Sequence, residues 1–207
     1  MIDNICNFLT QKIRNEIPDV DDERAEIINY GLQLMIGEIP KLFIMIGIAF
    51  LLGIPELSLL SFIIILPYRI FSGGFHLHTH IGCVVGTTLI YCGNVFFSKI
   101  FVLPQDVKYI VTFFICAFGI VMISLYAPAD TEEVPILSKK ERQKNKILSY
   151  TSFLIILLLS LIIKDEVISN MCAYGVLFQS ICITPLAYKL TKSKYGYEVY
   201  SQDLKVG

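Results

Sequence analysis

Long apolar runs separated by short polar stretches dominate the chain. Residues 39–54, 57–71, 81–103, 107–126, 147–163 and 167–190 are each mostly apolar, and about 20 such residues in a helix cross a bilayer core. The first run lengthens toward Leu32 if its helix continues past Pro40. The second is the shortest, holds Pro67 and ends at Arg69, and the sixth carries Pro185 near its end. Ahead of them, Ile2, Ile5, Cys6, Leu9 and Ile13 recur at helical spacing, which predicts an amphipathic helix. Asp19, Asp21 or Asp22 is placed to cap a second helix through Ile27, Ile28, Leu32 and Leu34. The expected fold is therefore an all-α integral membrane protein of about six transmembrane helices. An N-terminal amphipathic region over residues 1–38 precedes them, lying on the membrane surface or covering the bundle. No repeat or linker interrupts the pattern, so a single membrane-embedded domain over residues 1–207 is expected.

Composition sharpens this picture. The chain has 207 residues, 55% of them apolar, and a mean hydropathy of +0.65, above the range of ordinary soluble domains. A net charge of −1 gives no basic balance for nucleic acid. The start, MIDNICNFLTQKIRNEIP, lacks a basic, apolar and small-residue signal-peptide pattern and is expected to be retained. Of the 17 basic residues, only Lys99, Lys108 and Lys164 fall near one set of run ends; the other 14 fall at the opposite ends or in the terminal segments. Lysine and arginine are kept on the cytoplasmic side, so both termini and the 69–83 stretch are expected to face the cytoplasm of a multi-pass cell-membrane protein. A free thiol persists in that reducing compartment. Cys92, Cys116, Cys172 and Cys182 lie inside apolar runs as small buried hydrophobes, and the six cysteines contain no CxxC pair and imply no disulfide framework.

Candidate chemistry concentrates in residues 69–83, RIFSGGFHLHTHIGC, which hold all three histidines, His76, His78 and His80. A cysteine nucleophile attacks as thiolate and needs a nearby base to take its proton. His76 and Cys83 are seven residues apart, about 10.5 Å along an unbroken helix, so contact requires the backbone to fold between them. Gly73, Gly74 and Gly82 permit such turns. His80 is the local rival, three residues from Cys83 and a neighbour on a continuous helix. Spacing alone does not choose between the two histidines. Other roles fit the same residues: Cys83 as a core cysteine opening a span, the glycine pair as a tight turn, or His76, His78, His80 and Cys83 as zinc or copper ligands.

In order and spacing, Arg69, Gly73, Gly74, His76 and Cys83 resemble the R-x-x-x-G-G-x-H-(six residues)-C signature of the AgrB family, the accessory gene regulator membrane peptidases of Gram-positive bacteria. Residues 127–136, APADTEEVPI, resemble a second hallmark of that family, close to P-A-D-T-E-x-x-P-I. Leu77 departs from the alanine that many members carry after the histidine. The resemblance covers nearly the whole chain. It implies a cysteine endopeptidase that cleaves the C-terminal tail of an AgrD-type pro-peptide through an acyl-thioester and supports its cyclisation to a quorum-sensing thiolactone or lactone. It selects His76 over His80 as the base of Cys83, implies no metal or cofactor, and points to a homodimer.

Around that dyad, Arg69 is a candidate for stabilising negative charge or orienting a substrate carboxylate, or else an interfacial anchor. Asp130 is a candidate third member of the site. Lys139, Lys140 and Arg142, in a loop with five basic residues between 139 and 146, are candidates for attracting the acidic tail of the pro-peptide; contact with anionic lipid explains them equally. The main rival is a small polytopic transporter or metal-binding membrane protein built on His76, His78, His80 and Cys83. Against transport, the runs contain almost no ionisable residue beyond Arg69.

Overall fold

Each apolar run becomes a helix, and the polar stretches between them set where the helices stop. The computed structural model describes residues 2–17, 22–75, 77, 79–132, 135–136 and 138–199, which form two compact units, residues 1–48 and 49–207. In the first unit, α1 (Ile2–Glu16) buries Cys6 and Thr10 and leaves Ile5 and Phe8 exposed, so of the expected apolar face Cys6 is covered and Ile5 is not. α2 (Asp22–Leu51) runs through Pro40 without a break, so the helix expected through Ile27, Ile28, Leu32 and Leu34 and the first apolar run are one element; the cap candidates Asp19 and Asp21 lie outside the described residues. The amide of Asn29 donates to Asn7 Oδ1 at 2.6 Å, joining α1 and α2.

In the second unit α3 (Pro55–Ser72), α4 (His80–Ile100), α5 (Gln105–Tyr126), α6 (Lys139–Ile162) and α7 (Glu166–Cys182) make the bundle. α8 (Pro185–Thr191) and the short α9 (Gly196–Val199) follow. α7 is the central element, packing against α3, α4, α5 and α6. Its surface is buried almost all round, and such a helix belongs in the middle of a bundle. Small residues bring its neighbours close: a side chain on Gly175 would strike Ile65, and one on Gly119 would strike the Phe153 ring. Tyr68 and Phe153, with ring centroids 5.5 Å apart, fill the α3–α6 seam. Asn94 on α4 donates to Ser61 Oγ of α3 at 3.0 Å and to the Met171 carbonyl of α7 at 3.1 Å, a polar tie between spans.

Four helices, Pro55–Ser72, Ile81–Ile100, Asp106–Tyr126 and Lys139–Ile162, are long and apolar enough to cross a membrane. α7 and α8, bent by 68° at their break, meet the same length and apolarity only when taken together, as a broken span or a re-entrant loop. The apolar part of α2, Ile39–Leu51, is shorter. The first and second runs thus exchange rank: 57–71 gains length by starting at Pro55, whereas the first run meets the Leu52–Gly53 turn after Leu51. Phe113, Leu125 and Leu89 stand exposed on these helices, as lipid-facing side chains do. Among the described residues there is no strand, only single bridges at Gly73–Ala129 and Thr131–Tyr195.

Candidate functional site

The glycine pair ends α3, and its backbone explains why glycine stands there. Gly73 and Gly74 have φ of 70° and 134°, a region that side chains disfavour. A Cβ on Gly73 would collide with the Ala129 carbonyl, and one on Gly74 with the Arg69 guanidinium. That close approach joins the two loops singled out in the sequence. The Gly74 N–H donates to the Ala129 carbonyl at 2.8 Å, and the Ala129 N–H donates to the Ser72 carbonyl at 2.8 Å. The ends of α3 and α5, some fifty residues apart in sequence, are thereby tied by main-chain hydrogen bonds.

Side chains from α3 and α7 lock this turn. Arg69 Nη2 donates to the Phe75 carbonyl at 2.8 Å, and Nη1 lies 3.5 Å from Gln179 Oε1. The guanidinium also sits 5.8 Å from the Phe75 ring centroid. Gln179, fully buried on α7, donates through Nε2 to Ser72 Oγ at 2.9 Å and to the Gly73 carbonyl at 2.8 Å. The α7–α8 break contributes as well. Pro185 has no N–H to continue the ladder, and the carbonyls at the break find other donors: Cys182 accepts from the Phe75 N–H at 3.4 Å and Ile183 from the Tyr195 hydroxyl at 2.9 Å. Helices broken at membrane depth are tolerated where such partners are supplied.

Beyond Phe75 the chain turns into α4. Thr79 caps that helix, its hydroxyl accepting from the Gly82 N–H at 3.1 Å. Cys83 lies in the first turn, its N–H donating to the Thr79 carbonyl at 2.9 Å and its thiol half-buried. An oxyanion or thiolate gains from such a helix start. His76 and His78 lie outside the described residues, so the separation of either from Cys83, and the metal arrangement built on them, lie there too. Among the described residues no three of His, Cys, Asp and Glu gather as a metal site.

Asp130 belongs to the second loop and is almost wholly enclosed. Its Oδ2 accepts from the Ile136 N–H at 3.0 Å and pairs with Arg142 Nη1 at 2.9 Å. Arg142 also reaches the Pro128 carbonyl at 3.2 Å and stacks 5.1 Å from the Tyr197 ring. Tyr188 donates to the Ala129 and Asp130 carbonyls at 2.8 and 3.1 Å, and its ring lies 3.9 Å from that of Tyr195. Burial pushes the Tyr195 and Tyr197 phenols upward, so the Tyr195 hydroxyl stays protonated as the donor to the Ile183 carbonyl. Lys139 and Lys140 are exposed in the first turn of α6. The structure thus brings together Arg69, Gly73, Gly74, Asp130 and Arg142, and adds Gln179, Tyr188 and Tyr195. Gln179 had one legible signal, an amide inside the 167–190 apolar run; the two tyrosines had none.

This is a polytopic helical membrane protein whose two polar hallmark loops are braced together at one end of the bundle. The model of the family described as Accessory gene regulator B matches residues 6–183. An AgrB-like protein of Listeria innocua is 31% identical over 183 residues, 87% of each chain, and one of Listeria monocytogenes is 30% identical over 185 residues with the same coverage. Accessory gene regulator protein B of Staphylococcus aureus is 26% identical over 187 residues, 90% of this chain and 94% of the relative. No solved structure matches. The chain belongs to the AgrB family, and its place is in the processing of the quorum-sensing peptide of the accessory gene regulator system.

Proposed function

We propose that this chain is a membrane cysteine endopeptidase acting on an AgrD-type pro-peptide, with Cys83 as nucleophile and His76 as its base. His76 removes the Cys83 proton, and the thiolate attacks the carbonyl carbon of the scissile peptide bond. The resulting oxyanion lies near the start of α4, where main-chain dipoles favour negative charge. The C–N bond then breaks, the leaving amine takes the proton from the His76 imidazolium, and the N-terminal part stays on Cys83 as an acyl-thioester. A thiol or hydroxyl of the substrate gives its proton to His76, attacks that carbonyl, closes the ring and releases the Cys83 thiolate beside the His76 imidazolium. Thiol attack exchanges one thioester for another and is close to energy-neutral, so exclusion of water decides between ring closure and hydrolysis. The reaction as drawn uses no metal or cofactor.

The observation that carries this proposal is the main-chain pairing of Gly74 with Ala129, clamped by Arg69 and Gln179. It fixes the residue immediately before His76 at the end of the bundle where α4 presents Cys83. Arg69 here positions the loop through the Phe75 carbonyl, and Asp130 braces the second loop through Arg142. We place both termini and this site on the cytoplasmic side, because Arg69, the basic start of α6 and Lys189, Lys192 and Lys194 share that end. One domain over residues 1–207, and a homodimer as the working unit, complete the proposal.

Purified protein in lipid vesicles, given an AgrD-type peptide, tests it. Release of the C-terminal tail should be lost in Cys83→Ala and His76→Ala and kept in His80→Ala. Release that survives Cys83→Ala would sink the proposal.

A further inference from the structure

The C-terminus of α5 and the N-terminal two turns of α6 enclose a groove of about 550 Å³ outside the loop assembly, well within the size of small-molecule sites. Its two poles differ in chemistry. One wall is cationic, formed by Lys139, Arg142 and Lys146, which recur along a single face of α6. The other is apolar and aromatic, formed by Leu125, Pro128 and Tyr126.

We propose that this groove is a binding site for the headgroup of an anionic phospholipid drawn from the surrounding bilayer. Four observations converge on that occupant. First, Asp130 offsets the charge of Arg142 at 2.9 Å, and the groove's described lining contains no acidic residue, so the two lysines leave a net positive wall. Second, the wall is preset. Arg142 is fixed by Asp130, the Pro128 carbonyl and the Tyr197 ring, while Lys146 Nζ caps α5 by donating to the Ser124 carbonyl at 2.6 Å. An ammonium has three donors, so Lys146 keeps two for a phosphate.

Third, the groove sits at headgroup depth. Lys146 immediately precedes the apolar run of α6, which opens with exposed Ile147, and Leu125 is exposed on the facing helix. A tyrosine that is apolar in body and polar at the tip suits the same interface. Fourth, that apolar flank gives an acyl chain a surface to follow. A free phosphate or an acidic peptide would leave it uncovered, which favours lipid over either. The site also touches the second hallmark loop directly, through Arg142 and Pro128, so its occupancy bears on the brace beneath the glycine turn. The inference of lipid binding here does not rest on the proposed peptidase chemistry.

The test reads binding rather than cleavage. Full-length protein in nanodiscs of phosphatidylcholine with graded phosphatidylglycerol is released and weighed by native mass spectrometry. Wild type should keep one phosphatidylglycerol in preference to phosphatidylcholine by tenfold or more. Lys139→Gln with Lys146→Gln should lower that preference about tenfold. Lys139→Arg with Lys146→Arg should restore it, separating charge from folding. Lys99→Gln with Lys164→Gln, at the other end of the helices, should change nothing. Equal retention in the glutamine double variant overturns the proposal. So does displacement of the lipid by millimolar inorganic phosphate, which marks a free-anion site, or by a micromolar glutamate-rich peptide, which marks a peptide site.

Discussion

Gln179 is the residue on which the glycine turn depends most. Its amide gives two hydrogen bonds to the turn and takes one from Arg69, and Gln179 itself is buried. Removing one partner of a buried pair leaves the other unsatisfied, at about 1–3 kcal/mol. Gln179→Leu should therefore lower thermal stability by that amount in a detergent melt. It should also slow tail release at least tenfold without altering membrane insertion. Gly73→Ala is expected to be worse, because the new methyl meets the Ala129 carbonyl at a positive φ. Gly47→Ala, with open space around it, serves as the control and should be neutral or stabilising by up to about 1 kcal/mol. Tail release and melting temperature together check all three. Tyr195→Phe strips the donor from the Ile183 carbonyl and should cost about 1–3 kcal/mol. The Tyr195 phenol is raised by burial, so its share of the stability is complete below the ordinary tyrosine value of about 10. It fades only in stronger alkali; a wild-type melt that falls between pH 6 and 9 through this tyrosine would contradict the assignment.

At the scale of elements, the bend between α7 and α8 shows what was readable and what was not. Pro185 announced a disturbance in the sixth run, and the 68° bend is its consequence. That the two carbonyls at the break receive Phe75 and Tyr195 was not readable, since those donors lie about a hundred residues upstream and a dozen downstream. The same holds for the two hallmark loops. Each stood out from its apolar surroundings and was recognisable as a family feature. Their pairing is a long-range fact of topology: α3 and α5 run in the same direction and finish at one end, and only glycine at 73 lets the two chain segments touch. Arg69 illustrates the limit most sharply. From sequence it was a candidate for holding substrate charge, whereas in the structure its guanidinium faces the Phe75 carbonyl and Gln179. The helices themselves were legible because apolar length decides them, while boundaries moved where a cap such as Thr79 or Ser138 fixed the start, and also at Pro55 and Leu51, where no side-chain cap does so.

For the whole molecule, the same end of the second unit carries the glycine turn, the second loop, the start of α4 and the basic start of α6. That coincidence makes a side-specific prediction. In right-side-out cells, a membrane-impermeant maleimide should leave Cys83 unlabelled until the membrane is opened, in a variant whose other cysteines are alanine. Labelling from outside would reverse the proposed orientation. The central claim, an acyl-enzyme on Cys83 formed with the help of His76, is tested most directly by intact-mass analysis of the protein in vesicles after brief mixing with an AgrD-type peptide whose cyclising thiol is blocked. The account predicts wild-type protein heavier by the N-terminal part of the peptide through a hydroxylamine-labile bond. That adduct should be absent in Cys83→Ala, strongly reduced in His76→Ala and unchanged in His80→Ala. An adduct that persists without Cys83, or tail release with no adduct on any variant, would contradict it.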